Sequence, residues 1–189
     1  ILTINESKEI LNKTIEACKN LEYPNKENVH IYLCDDGNRE EIRKLAEYEK
    51  INYINRLKNE NFKAGNLNNA IKYTKSKYFA VLDADMIPEK DFLIYCMNEF
   101  LTSNNEKLAF VQIPQEFYNY NIIQNRLGVQ NNIPDEQSFF YKHIQCAKNK
   151  KNTVIYCGTN AIFLKKAILE IGGFATKSIT EDIVTRNAI

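Results

Sequence analysis

The sequence predicts an α/β domain, a mostly parallel sheet covered by helices on both faces. Three observations carry that prediction. Short β-rich runs alternate with helix-period segments through residue 113, each β-rich run ends at a turn signal, and two of those ends are acidic. Parallel strands buried on both faces need helical crossovers, which produces this alternation.

Taken in order, Ile10, Leu11, Thr14, Ile15, Cys18 and Leu21 recur at a helical period that Pro24 stops. "VHIYLC" (29–34) reads as a strand broken by the turn "DDGN". A second helix fits 39–50, and "INYIN" (51–55) is another strand. "NLNNAIKYT" (66–74) reads as a helix leading into the strand "YFAVLD" (78–83). A helix over 89–101 is opened by Pro88 and its acidic neighbours, and "KLAFVQI" (107–113) follows as a strand. Beyond Pro114 the chain is polar, Asn-rich and aromatic, and reads as loops and helices over one edge. "TVIYC" (153–157) is predicted as the last strand, and 165–171 as a helix that Gly172-Gly173 ends with a left-handed cap.

At 189 residues, 44% hydrophobic and 26% charged, the chain suits one domain with a sizeable core. With 25 basic and 24 acidic residues the net charge is +1, which argues against nucleic acid or an anionic membrane as the main partner. The five cysteines, at 18, 34, 96, 146 and 157, lack a C-x-x-C pair and read as reduced thiols of a cytosolic environment. No apolar run approaches the ~20 residues that span a bilayer. The chain opens in what reads as a strand end, "ILTINES", and closes in the helix start "TEDIVTRNAI", so a piece of a longer protein is expected.

In an open parallel sheet, ligands sit beyond the carboxyl ends of the strands. Asp35 and Asp36 stand at one such end, Asp83 and Asp85 at another. Residues two apart on an extended segment point the same way, so Asp83 and Asp85 are expected on one side and Ala84 on the other. Two close carboxylates suit Mg²⁺ or Mn²⁺, hard cations that share their shell with phosphate. Alternatively, they cap the following turn and helix, and "DDG" is ordinary turn chemistry.

The succession "TINE" (3–6), "CDDG" (34–37), "KAGNLNNAI" (63–71), "LDAD" (82–85), "VQIPQEFYN" (111–119), "YCGTNAIF" (156–163), "GGF" (172–174) and "TED" (180–182) resembles the catalytic domain of family 2 processive glycosyltransferases, most closely the cellulose synthase group. The resemblance covers essentially the whole chain and implies a GT-A type nucleotide-diphospho-sugar transferase fold. It divides the single domain into a nucleotide-sugar half, 1–113, and an acceptor half, 114–189.

By the same resemblance, Thr3 and Glu6 lie beside the nucleotide, although Thr3-x-x-Glu6 also reads as a capping box, and Leu2 and Ile4 replace the family's usual residues. Asp35 and Asp36 match the pair that contacts uridine, and a carboxylate can accept from uracil N–H or ribose hydroxyl. Lys63 matches a lysine near the diphosphate, at a predicted helix entrance. Asp85 matches the direct metal ligand, and Asp83 lies nearer the ribose and metal shell. Gln112 and Gln115 line the sugar and acceptor region, or simply finish a strand, and the aromatic residues of 117–141 suit sugar stacking or core filling. Cys157, Gly158 and Thr159 match the loop beneath the acceptor end of the glucan. Cys157 alone would read as a structural thiol, and Tyr156 and Phe163 read as core aromatics. Glu181 is placed among the substrate contacts. Asp182 matches the general base, or with Thr180 and Glu181 it favourably opens a helix.

The implied reaction is inverting transfer of a hexose, glucose by resemblance, from a UDP-sugar to a growing β-linked polysaccharide. It implies a membrane partner, through segments outside this chain, and a setting at the cytoplasmic face of the cell membrane. The family's Q-x-x-R-W motif does not occur in these residues. Two rivals stand: a metal-dependent phosphohydrolase, in which D-x-D usually lies near the first strand, and a non-catalytic nucleotide- or glycan-binding domain.

Overall fold

A computed structural model describes the chain except residues 104, 106, 118–125, 127–135 and 179. The sugar-stacking expectation for 117–141 therefore falls largely outside the described residues. Strands β1 (Leu2–Thr3), β2 (Tyr32–Asp35) and β3 (Asn52–Asn55) form a parallel sheet in the order β1-β2-β3. Strand β6 (Ala161–Leu164) lies antiparallel between β4 (Tyr78–Val81) and β5 (Phe110–Gln112). A parallel bridge between Leu2 and Asp83, with Leu2 N–H donating to Leu82 O at 2.9 Å, joins β1 to the end of β4. The described strands thus run β3-β2-β1-β4-β6-β5, and β6 is the antiparallel member.

Helices α1 (Lys8–Lys19) and α2 (Glu40–Glu49) cover one face, α3 (Phe62–Tyr73) the other, and α4 (Phe92–Thr102) packs beside the second sheet. Later come a helical run over 136–149 (α5), which contains the π-helical turn Phe140–Gln145, then α6 (Lys165–Glu170) and α7 (Glu181–Ala188). On β2, Leu33 packs with Leu11, Ile15, Ile42 and Leu45, whereas Cys34 packs with Ile54, Leu67 and Val81. Neighbouring side chains of a strand point to opposite faces, so each faces a different helical layer.

Leu11, Thr14, Ile15 and Cys18 are the buried stripe of α1, as the periodicity predicts. Its cap differs from the expectation: Thr3 belongs to β1, and Ser7 caps α1 by accepting from Ile10 N–H. Helix α3 starts at Phe62 rather than Asn66, which puts Lys63 in its first turn. Helix α6 ends as predicted, with Gly172 at φ +84°, Gly173 at φ +102° and Gly173 N–H on Ile168 O at 2.8 Å.

The strand expected at 153–157 is absent, and β6 takes its place at Ala161–Leu164. Tyr156 leaves the sheet to bury its ring against Phe163, with centroids 4.9 Å apart and planes at 87°. Its hydroxyl is satisfied by Gly158 O at 2.7 Å, so a buried tyrosine is accommodated without a ladder. Tyr156 and Phe163 are core residues, at 1% and 0% exposure.

Candidate active site at the strand ends

Asp35, at the end of β2, is fully buried. Its Oδ1 accepts from Gly37 N–H and from the Arg39 side chain, while Oδ2 accepts from Arg39 N–H at 2.7 Å and Tyr53 OH at 3.1 Å. The Arg39 guanidinium also reaches Thr3 Oγ1 (2.7 Å) and Glu6 O (2.6 Å). Thr3 in turn donates to Glu6 Oε2 at 2.7 Å, which also accepts from Ile4 and Asn5 N–H. Burial raises the Glu6 carboxyl, but donation from Ile4 N–H and the Thr3 hydroxyl outweighs it and holds the pKa below the ordinary value. Thr3, Glu6 and Asp35 are therefore joined through Arg39, and every Asp35 oxygen is used internally.

Asp36 stands differently. It forms a bidentate pair with Arg56, Oδ1 to Nε at 2.6 Å and Oδ2 to Nη2 at 2.5 Å, both side chains about nine-tenths buried. Arg56 also donates to Glu60 O and Phe62 O, fastening the loop before α3 to the pair. Neither Arg39 nor Arg56 emerged from the sequence. Arg56 immediately follows β3, and the strand-end rule that singled out the acids would have found it had it been applied to bases as well.

Strand β4 ends at Val81, and the chain turns after Asp83, with Met86 N–H donating to Asp83 O at 3.1 Å. Ala84 is buried at 2% exposure against α1 and α2, and Thr14 of α1 donates to Ala84 O at 2.6 Å. Ala84 is turned to the core while Asp85 is exposed, and the segment is a turn rather than the extended strand expected. Asp85 is exposed, and its carboxylate has no hydrogen bond or ion pair among the described residues. Asp83 Oδ1 instead pairs with Lys63 Nζ at 2.6 Å, the two side chains being 34% and 28% exposed.

The loop from Tyr156 to β6 completes the floor. Gly158 adopts φ +80°, and a Cβ there would stand 3.5 Å from Lys63 Nζ and 3.7 Å from Asp182 Oδ2. The other Asp182 oxygen, Oδ1, accepts from Ile183 N–H at 2.8 Å. Helix α7, which carries Asp182, is anchored by buried Thr185, whose hydroxyl accepts from Ala175 N–H, and by Arg186, which donates to Val154 O and Asn152 O. Thr180 precedes this helix without capping it through its side chain. Glu181 lines a recess of about 200 Å³ with Phe62, Lys63 and Ser178. A separate cavity of about 810 Å³ lies at the amino ends of β2 and β4 and touches none of these site residues.

Gln112 and Thr159 point inward. The Gln112 amide accepts from Cys157 N–H and donates to Thr159 O and Asn160 O, and Thr159 Oγ1 accepts from Asp83 N–H. Gln115 bonds Gln137 and Asn160. Cys157 is half-buried, and burial raises its thiol pKa. All five cysteines are free thiols.

No group of three or more His, Cys, Asp or Glu forms a metal cage among the described residues. One uncommitted carboxylate, Asp85, beside one carboxylate held by a lysine, Asp83, fits a hard cation that completes its shell with phosphate and water.

Residues 1–172 match the glycosyl transferase family 2 profile. The chain belongs to glycosyl transferase family 2. Its relatives include the UDP-forming cellulose synthase 1 catalytic subunit of Komagataeibacter xylinus, 38% identical over 98% of this chain and 24% of that protein. The corresponding subunit of Pseudomonas fluorescens is 35% identical over 98% of this chain and 25% of its own length. This chain thus spans about a quarter of the length of these relatives. Its fold is of the GT-A type. It superposes on the Pyrobaculum calidifontis mannosyltransferase PcManGT, in complex with GDP-Man and Mn²⁺, at a TM-score of 0.67 and 17% identity, covering 97% of this chain and 49% of that one. S. aureus TarS 1–349 in complex with UDP-GlcNAc gives 0.67 at 14% identity, covering 99% and 51%.

Proposed function

We propose that this domain transfers glucose from UDP-glucose to the growing end of a β-linked glucan, inverting the anomeric carbon, with Mg²⁺ or Mn²⁺ bound beside the diphosphate. One observation carries the reading: Lys63, from the first half of the chain and paired with Asp83, meets Asp182, from the end of the second, at the side-chain-free face of Gly158. A donor site and a base sharing one opening is what a single displacement requires. The relatives' names, cellulose synthase and UDP-forming, support the polymer and the donor. The GDP-Man with Mn²⁺ and UDP-GlcNAc complexes of the structural neighbours support a nucleotide-sugar with a divalent cation.

In this reading residues 1–113 hold the donor and 114–189 the acceptor. Asp36, paired with Arg56, faces the uridine, while Asp35, Thr3 and Glu6 shape the floor from within. Lys63 offsets charge developing on the leaving UDP. Asp85, with Asp83, would hold a divalent cation, which when bound would neutralise more of that charge. Asp182 Oδ2 takes the proton of the acceptor hydroxyl as its oxygen bonds to the anomeric carbon. The carbon–oxygen bond to UDP breaks on the opposite face and UDP departs with the electron pair, so an α-linked donor yields a β-linked product. Cys157, Gly158 and Glu181 flank the acceptor end. No carboxylate nucleophile is needed, unlike in a retaining glycosidase.

The domain is further proposed to work at the cytoplasmic face of a membrane, held there by other parts of its protein. Among the described residues no helix is long and apolar enough to cross one. Two assays test the reading. Calorimetric titration of UDP into the chain should give tighter binding with Mn²⁺ than without. Radiolabelled glucose from UDP-glucose should enter a β-glucan when the protein containing this domain is supplied. Equal binding with and without Mn²⁺ would overturn the donor half, and release of free glucose without polymer would overturn the acceptor half.

A further inference from the structure

We infer that Thr159 is a positioning residue for Asp83, held in place by Gln112, and that neither side chain serves by touching sugar. The inference rests on the nucleotide and metal reading above.

The β4–β6 ladder pairs Val81 with Ala161, and in that register the next positions along set Asp83 opposite Thr159. The backbone cannot continue the ladder there, because Gly158 (φ +80°) and Asn160 (φ +53°) turn the loop away. A side chain continues it instead. Thr159, 4% exposed, accepts the Asp83 N–H on its Oγ1 at 3.0 Å, across 76 residues of sequence. Asp83 thereby has its backbone fixed from the β6 side, as the Leu2 bridge fixes it from the β1 side.

Thr159 in turn needs a fixed loop, and a loop of this shape has backbone groups to satisfy. Gln112, at the end of β5, does most of this. Its Oε1 takes Cys157 N–H at 3.0 Å, and its Nε2 faces Thr159 O at 2.9 Å, Asn160 O at 3.1 Å and Ile113 O at 3.0 Å. The partners dictate the orientation of this amide, since a flip would set oxygen against three carbonyls. Both ends of the Gln112 side chain are thus committed to protein. The Tyr156 hydroxyl holds Gly158 O from below. The same loop presents Gly158 to Lys63 and Asp182, so one fastening sets both the metal carboxylate and the floor of the acceptor opening.

Substitutions that spare volume test the role. Thr159→Val removes the acceptor while keeping the shape, and Thr159→Ser keeps the acceptor. Outer partners of metal ligands typically contribute ~10- to 100-fold to metal affinity. Calorimetry should therefore find the Mn²⁺-dependent gain in UDP affinity reduced about tenfold in Thr159→Val, with metal-free UDP affinity and circular dichroism unchanged. Thr159→Ser should restore the gain. Gln112→Glu, which sets a carboxylate oxygen against the loop carbonyls, should lower the gain in the same direction. A Thr159→Val protein with the full Mn²⁺ gain would overturn the role, as would equal loss of metal-free and metal-dependent binding, or failure of Thr159→Ser to recover. Absence of any Mn²⁺ gain in the wild-type chain would instead overturn the metal reading itself, and this role with it.

Discussion

Lys63 Nζ lies 2.6 Å from Asp83 Oδ1, so the first acid of the D-x-D pair already holds a cation supplied by the chain. An incoming divalent ion must compete with that ammonium unless an anion draws the lysine away, and a nucleotide diphosphate is such an anion. Lys63→Gln should therefore bind bare Mn²⁺ more tightly than wild type, by about two- to fivefold for a pair this exposed. It should bind UDP in the presence of Mn²⁺ at least about tenfold more weakly, having lost a charge-assisted contact. Manganese titrations followed by electron paramagnetic resonance, with and without UDP, read both changes. Weaker binding of the bare ion would sink the competition argument.

Asp85 stands apart from its neighbours, exposed and without an ion pair among the described residues. Its replacement by asparagine should leave folding stability within about 0.5 kcal/mol of wild type. Mn²⁺ should then no longer improve UDP binding. Thermal denaturation beside calorimetry checks the two halves, and a retained Mn²⁺ effect would remove Asp85 from the metal shell.

Asp182 belongs to the acceptor side, so its substitution should separate binding from transfer. In the protein containing this domain, Asp182→Asn is expected to keep UDP affinity within about threefold while transfer falls by ~10²–10⁴-fold. Retention of a tenth or more of wild-type transfer would require another base.

How far these residues were legible in the sequence depended on what each one does. Asp83 and Asp85 emerged because paired acids at a strand end are visible as letters in order, whereas Lys63 and Asp182 emerged only through the succession of motifs that resembles the family. The internal duties of Gln112 and Thr159 were not visible, since they depend on distant parts of the chain brought within about 3 Å: Thr159 reaches Asp83 across 76 residues, and Asp35 was read for a ligand although Arg39, four residues on, already occupies it. The elements tell a similar story. The stripe of α1 is a local pattern and was legible apart from Ile10, which is exposed, whereas Thr153 to Cys157 have strand-forming side chains yet lose to Ala161–Leu164. The latter stretch can pair with β4 and β5 at once, and tertiary pairing outweighs local β preference.

The Asp36–Arg56 pair is buried well enough for its rupture to be costly. Arg56→Met strands a carboxylate at about 7% exposure and should destabilise the domain by ~3–5 kcal/mol. Adding Asp36→Asn removes the stranded charge and should recover part of that loss. Urea denaturation of the two single variants and the double variant measures it. Simple additivity of the two losses would contradict a direct pair.

Glu6 gives the pH dependence a definite sign. Its carboxyl is held below the ordinary 4.5 in the folded chain, so its contribution is present above about that pH and is lost as pH falls through the lowered folded value. Glu6→Gln should flatten that part of the acid limb of the melting-temperature profile. An unchanged acid limb would show that the Thr3–Glu6 turn is not what acid releases.

The buried methyl group between the two acids limits what can be written in the middle of D-x-D. Ala84 has helix α1 directly beneath it, with Thr14 gripping its carbonyl, and the surrounding Leu11, Ile15 and Leu33 leave little slack. A valine or leucine at that position would have to lift the turn, and both carboxylates ride on the turn. The letter usually treated as free thus acts as a height gauge: a spacer that is too large misplaces two charges without altering either of them.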